Sequence, residues 1–316
     1  MAAYKIQSVS LNKYLLMSYH YRAFGLYIAS DIECPELMPG DGPIDVHIRY
    51  GYVPEHLEES RALDRFFDLK PDQLLCRIDT IGRFLVSNGN DILVDRHPDG
   101  DDLVLRLYLL GIVFSALIHQ RGLLPLHGSA VDTPAGVVVF VGQSGIGKST
   151  LLGALHHRKY RVFTDDILVI SCNDQSSPVA YPGFPQMRMT QETAERLGVE
   201  IDSVRKLSWQ KEKYMIPVQD QFAGEPRSLY AMYWLTAAQV DAVTLTPITG
   251  TEKFKMLVAN TFRASFLDDL GVGANHFRLV TAVGQHARLV KVTRPQEGFL
   301  LDELVEALEQ DFGGRL

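Results

Sequence analysis

The sequence predicts a mixed α/β chain in two parts: a smaller β-rich N-terminal domain over residues 1–100 and a P-loop nucleotide-binding domain over 101–316. Three observations carry this. The first hundred residues hold short strand-like runs such as "FGLYIAS" and "IDVHIRYG", separated by turn residues. A long apolar stretch, "LVLRLYLLGIVFSALI", follows at 103–118. Then "GVVVFVGQSGIGKSTLL" runs from a valine-rich strand through a glycine loop into a helix.

In chain order, "GRFLVSNGNDILVDR" reads as a hairpin turning at Asn88-Gly89, a dipeptide suited to positive φ. The N-terminal part shows no catalytic constellation, which leaves structural support, oligomer contact and acceptor docking open as its role. The apolar stretch at 103–118 is short for a membrane span and carries Arg106, so a buried helix over about 102–120 is expected. Strands near 127–132 and 137–141 are separated by the turn Thr133-Pro134-Ala135-Gly136. A helix then runs to about His157, and "YRVFTDDILVI" continues as an apolar strand interrupted by two aspartates. Beyond Ser171, turns alternate with short strands such as "SLYAMYWL". The chain closes on an amphipathic helix with Leu300, Leu301, Leu304, Val305 and Leu308 on one face.

Composition narrows the function. Apolar residues make up 46% and charged residues 22%, as in an ordinary globular protein. A net charge of −7 disfavours a nucleic-acid partner. Cys34, Cys76 and Cys172 are odd in number and lack metal or redox spacing, so three reduced thiols are expected. The N-terminus has no continuous apolar region or small-residue cleavage pattern, so a cytoplasmic protein without a membrane partner is the expectation.

Gly142-Gln143-Ser144-Gly145-Ile146-Gly147-Lys148-Ser149 matches G-x-x-x-x-G-K-[ST] in full, with Thr150 next to it. The glycines allow backbone conformations in which successive N–H groups point at phosphate oxygens. The helix that follows directs its positive end to the same place. Lys148 can reach the β- and γ-phosphates, and the Ser149 hydroxyl can ligate magnesium. ATP and Mg2+ are therefore the expected cofactors.

Asp165 and Asp166 follow, separated from Lys148 by sixteen residues. Neighbours on a flat strand point to opposite faces, so both reach one phosphate only if the chain bends or bulges there. With that bend, one carboxylate serves magnesium and the other takes the proton of an attacking hydroxyl, in either order. His127, on the strand before the glycine loop, is placed to hold and tune one of them.

Together, "LHGSAV", "GQSGIGKST" and "YRVFTDD" resemble the catalytic core of the HPr serine kinase family, which shares its nucleotide fold with phosphoenolpyruvate carboxykinase. The resemblance covers about residues 123–170 and continues more weakly through "YPGFPQMRM" and "KYMIPV". It implies active-site roles for His127, Lys148, Ser149, Asp165 and Asp166, and a serine hydroxyl as acceptor. The chain departs from true HPr kinases in lacking their segment that reads the carrier protein. Its "FGLYIAS…ECPEL…DVHIRYG" is similar to HPr-kinase-related proteins encoded beside peptide-modification genes, nearest to the lasso peptide kinase group. The implied acceptor is the C-terminal Ser of a lasso precursor peptide, with a small carrier protein such as HPr or a non-catalytic nucleotide-gated module as alternatives. A homo-oligomer fits any of these.

Further cations are candidates for the acceptor side. Arg188 in "GFPQMRM" can neutralise transferred phosphate. The basic stretch "RKLSWQKEK" at 205–213 contains Trp209 and ends at Lys213, which leads into an apolar strand. Arg263 in "NTFRASFL" is a candidate transition-state cation, whereas Asp268 and Asp269 are expected at a helix end.

Overall fold

A computed structural model describes residues 18–199, 205–207, 213–298 and 300–313. Among these, the N-terminal chain forms a nine-stranded sheet from β1 (Tyr19–Ala23), β2 (Leu26–Ser30), β3 (Met38–Pro39), β4 (Val46–Tyr50), β5 (Arg61–Ala62), β6 (Phe67–Lys70), β7 (Gln73–Ile78), β8 (Gly82–Ser87) and β9 (Asp91–Arg96). Its spatial order is β3-β1-β2-β4-β9-β8-β7-β6-β5. The β8–β9 hairpin turns at Asn88 (φ 55) and Gly89 (φ 66), the positive pair that a tight turn matching strand twist requires. Alternate residues on these strands, Phe84, Val86, Ile92 and Val94, are buried.

That apolar face packs on α1 (Asp102–Gln120). Asp101 caps the helix by accepting a hydrogen bond from the Val104 N–H at 2.9 Å, and Gly122 at φ 70 lies just beyond its end. The helix is long and apolar enough to cross a membrane by length and composition. Here it is mostly buried in protein, with Leu109, Val113, Phe114 and Leu117 in the core that holds Phe84 and Ile92. Arg106 donates to both carboxylate oxygens of buried Glu36 at 2.9 and 3.0 Å, tying the helix to the segment before β3. A π-type turn, Leu109–Val113, interrupts the middle of α1.

The second sheet is built around β10 (Leu124–Thr133) and β11 (Gly136–Val141), followed by α2 (Lys148–His157). Next come β12 (Arg161–Thr164), β13 (Ile167–Cys172), β14 (Pro178–Tyr181), β15 (Gln186–Thr190) and α3 (Gln191–Arg196). The chain continues with β16 (Arg205–Leu207), β17 (Lys213–Pro217), β18 (Arg227–Ala238) and β19 (Thr244–Pro247). It closes with α4 (Thr251–Ala259), α5 (Gly273–His286), β20 (Arg288–Pro295) and α6 (Leu301–Phe312). The order is β11-β10-β13-β14-β18-β20-β19, and a second pairing joins β11 to β18, so five of the strands close a ring. β11, β18 and β20 run parallel. Every residue of β11 is buried, as expected of a central strand flanked by antiparallel β10 and parallel β18. β15, β16 and β17 form a small separate sheet.

Two local expectations are corrected. The run 161–171 is not one strand but two, β12 and β13, because Asp166 takes φ 87 between them. Leu300 precedes α6 in a non-helical conformation, and the buried face is Leu304, Val305, Leu308 and Phe312. Asp268 and Asp269 lie just past the end of the short 3₁₀ helix Ala264–Phe266, in the turn before α5, and Asp269 pairs with Arg61 at 3.2 Å.

Candidate active site

The glycine loop leaves the buried end of β11 and opens α2, as its strand-loop-helix sequence requires. Gly147 stands at φ 107, where a side chain would be strained, yet a Cβ there would meet nothing within 4 Å. The same space lies open at Gly145, so the concave face of the loop is accessible to a ligand. Lys148 Nζ donates to the carbonyls of Gly142 (2.8 Å) and Gln143 (3.2 Å), which holds its ammonium across the loop. The Ser149 hydroxyl donates to Asp165 Oδ1 at 3.1 Å, and Thr150 Oγ1 lies 3.3 Å from Thr193 Oγ1.

The aspartates reach this place through β10. Its first half pairs with β13 and its second half with β12, so the break between those strands falls beside His127, Gly128 and Ser129. Gly128 is required there, since a Cβ would come within 2.8 Å of the Phe140 carbonyl on β11. At the break, Asp166 adopts the left-handed conformation that Asp tolerates better than most residues. Both carboxylates thereby line one cleft.

Their partners differ. Asp165 Oδ1 accepts from Ser129 (2.6 Å) as well as from Ser149, and Oδ2 accepts from the backbone N–H of Arg188 at 2.8 Å. Asp166 Oδ2 accepts from the Arg188 guanidinium at 2.8 Å, while Oδ1 lies 3.4 Å from His127 Nδ1. The same Nδ1 is 3.0 Å from the Asp166 carbonyl; a carbonyl only accepts, so this nitrogen carries the proton. Burial pushes the His127 pKa down, with the Asp166 carboxylate opposing and Lys148 reinforcing. A neutral imidazole at pH 7 follows.

The cleft holds about 1310 Å³ and brings the glycine loop, His127, Asp165, Asp166, Arg188 and Arg263 together. Lys213 starts β17, but its side chain lies outside the described residues, as does Trp209. Five contributors escaped sequence reasoning. Ser129 sits two residues after His127 on β10, and the period-two rule already puts it on the same face. Arg294, near the end of β20, donates to the Ile146 carbonyl at 3.4 Å; the carboxyl ends of parallel strands are where such a residue is to be sought. Asp64, Phe66 and Phe67 reach the cleft from the start of β6 and the bend before it, and no local pattern announces that.

The residues fit a nucleotide with a magnesium ion. Among the described residues no group of three or more His, Cys, Asp or Glu forms a metal cage. Magnesium beside a phosphate needs only one or two protein ligands, and the Ser149–Asp165 pair at the mouth of the open loop offers them.

No protein-family model matches the chain, and no curated protein sequence matches it. Among solved structures, it is similar to the HPr(Ser) kinase/phosphatase from Coxiella burnetii at 11% sequence identity, over 60% of this chain and 95% of that one, with a TM-score of 0.32. The reading of function therefore rests on the chain's own residues.

Proposed function

We propose that this protein is an ATP- and Mg2+-dependent kinase that phosphorylates a serine hydroxyl of a peptide, for which the C-terminal Ser of a lasso precursor is the leading acceptor. One observation carries the reading: a glycine-loop serine and two adjacent aspartates converge in one cleft with distinct partners. Bound Mg-ATP supplies the phosphoryl group, whose bond to the bridging oxygen is replaced by one to the acceptor oxygen, releasing ADP. Asp165, held by three donors beside Ser149, supports the metal. Asp166 takes the hydroxyl proton. Arg188 pairs with Oδ2 at 2.8 Å and holds the carboxylate in place in the cleft. His127 fixes the backbone of Asp166 through the carbonyl and stands beside Oδ1. Lys148 and the loop N–H groups stabilise charge spreading over the phosphate oxygens.

The test is incubation with Mg-ATP and either a serine-ended precursor peptide or HPr, followed by intact mass measurement of both. Addition of one phosphoryl mass to the peptide supports the proposal, and addition to HPr alone moves the acceptor to the carrier. Tight ATP binding with no phosphorylated product on either leaves only a nucleotide-gated binding module.

A further inference from the structure

The cleft continues past Asp166, and its far end is built largely by the N-terminal half of the chain. Phe66, Phe67 and Ile78 come from the nine-stranded sheet and its approach, Tyr108 and Ile112 from α1, and Phe262 from the turn after α4. All but Phe67 are half-buried, packed on the core while lining the cleft. Gly111, in the π-type turn of α1, also lines the cleft, and a Cβ there would meet nothing within 4 Å. The cavity thus reaches down to helix backbone at this point.

Arg263 stands where this apolar lobe meets the aspartates. Its backbone is left-handed at φ 55. Its guanidinium carbon lies 5.8 Å from the ring centre of Phe67 and 5.9 Å from that of Phe262, whose ring is 5.7 Å from His127. Among the described residues the Arg263 side chain has ring contacts but no hydrogen bond or ion pair. Burial disfavours its charge, with Cys76 and then Asp64 and Asp166 opposing. Arginine stays protonated regardless. A partly desolvated cation between two rings, lacking a hydrogen-bonded counter-ion, is a place that an incoming anion stabilises.

We infer that this lobe is the acceptor subsite and that it takes a peptide segment carrying an apolar side chain and a carboxylate beside the reacting hydroxyl. The inference rests on the kinase reading above. The apolar side chain lies over Gly111 against Tyr108 and Ile112, the carboxylate meets Arg263, and the hydroxyl is left facing Asp166. The N-terminal sheet then selects the substrate. The carboxylate is either a chain terminus or an acidic side chain, and the two sources are separable.

The probes are matched synthetic peptides with one serine preceded by phenylalanine: ending in a free carboxylate, ending in an amide, or amidated with Glu or Gln next to the serine. Binding is measured by calorimetry with Mg2+ and a non-hydrolysable ATP analogue, and transfer from ATP by intact mass. One carboxylate peptide is expected to bind about tenfold or more tighter than its neutral match, the size of a charge-assisted hydrogen bond, and which one does so names the source. Arg263→Gln should erase that gap and Arg263→Lys restore part of it. Gly111→Leu should weaken binding of the whole set. Unchanged nucleotide affinity shows that each variant is folded. Equal binding of acid and neutral peptides, a gap that survives Arg263→Gln, or no binding by any peptide overturns the subsite. A gap without phosphate transfer keeps the subsite and sinks the kinase reading, whereas transfer without a gap does the reverse.

Discussion

Replacing Asp166 with Asn separates charge from shape at the proposed base. Asn enters the left-handed region as readily as Asp, so φ 87 is kept, and the backbone carbonyl still accepts from Gly128 and His127. The carboxylate loses its proton affinity and its charge-assisted bond to Arg188. That pair is 20–23% exposed, so with solvent screening its loss costs about 1 kcal/mol. Arg188 stays anchored by its backbone bond to Asp165. The expected change in unfolding midpoint is about two to four degrees at most. Loss of a general base lowers kcat by about 10²–10⁴-fold, or ~3–5 kcal/mol on the barrier. The chemical effect therefore exceeds the structural one severalfold in energy. Single-turnover transfer from labelled ATP gives kcat, and calorimetry gives ATP affinity. A variant within about tenfold of normal turnover, or one whose loss matches a loss of ATP affinity, would refute the assignment.

Other outcomes can be stated more briefly. Lys148→Met should weaken ATP binding by about tenfold or more, measured by calorimetry, with little change in fold content by circular dichroism. The buried His119, whose Nε2 donates to the Phe262 carbonyl at 2.8 Å, has its pKa lowered by burial to about 4. Between that value and the ordinary 6.5 the unfolded chain binds more protons, so this stability is complete above about pH 6.5 and lost as pH falls toward 4, by up to ~3 kcal/mol. Urea unfolding across that range should show a shallower pH slope in His119→Gln, and identical slopes would exclude the effect. Arg106→Met leaves Glu36 buried and unpaired, which should cost about 3–5 kcal/mol in urea unfolding, and adding Glu36→Leu should recover most of it.

The glycine loop and α1 were legible in sequence because each is contiguous: one motif fixes its own turn, and one apolar run fixes its own helix. The aspartate pair was half legible. Strand periodicity sends the two carboxylates apart, and only the break opposite Gly128, with Asp166 left-handed, brings both into one cleft. Arg188 could be named but not its role, since its attachment to both acids depends on β15 crossing the site. The far wall was not legible. Phe67 and Arg263 are nearly two hundred residues apart, and their meeting is decided by how α1 seats the N-terminal sheet.

The two ends of α1 are pinned to different parts of the chain: Arg106 to Glu36 in the N-terminal half, His119 to Phe262 beside the aspartates. The link from β9 to α1, at His97, Pro98 and Asp99, is exposed. A protease that nicked this link would sever the polypeptide without separating the fragments, because the helix works as a dowel set into both.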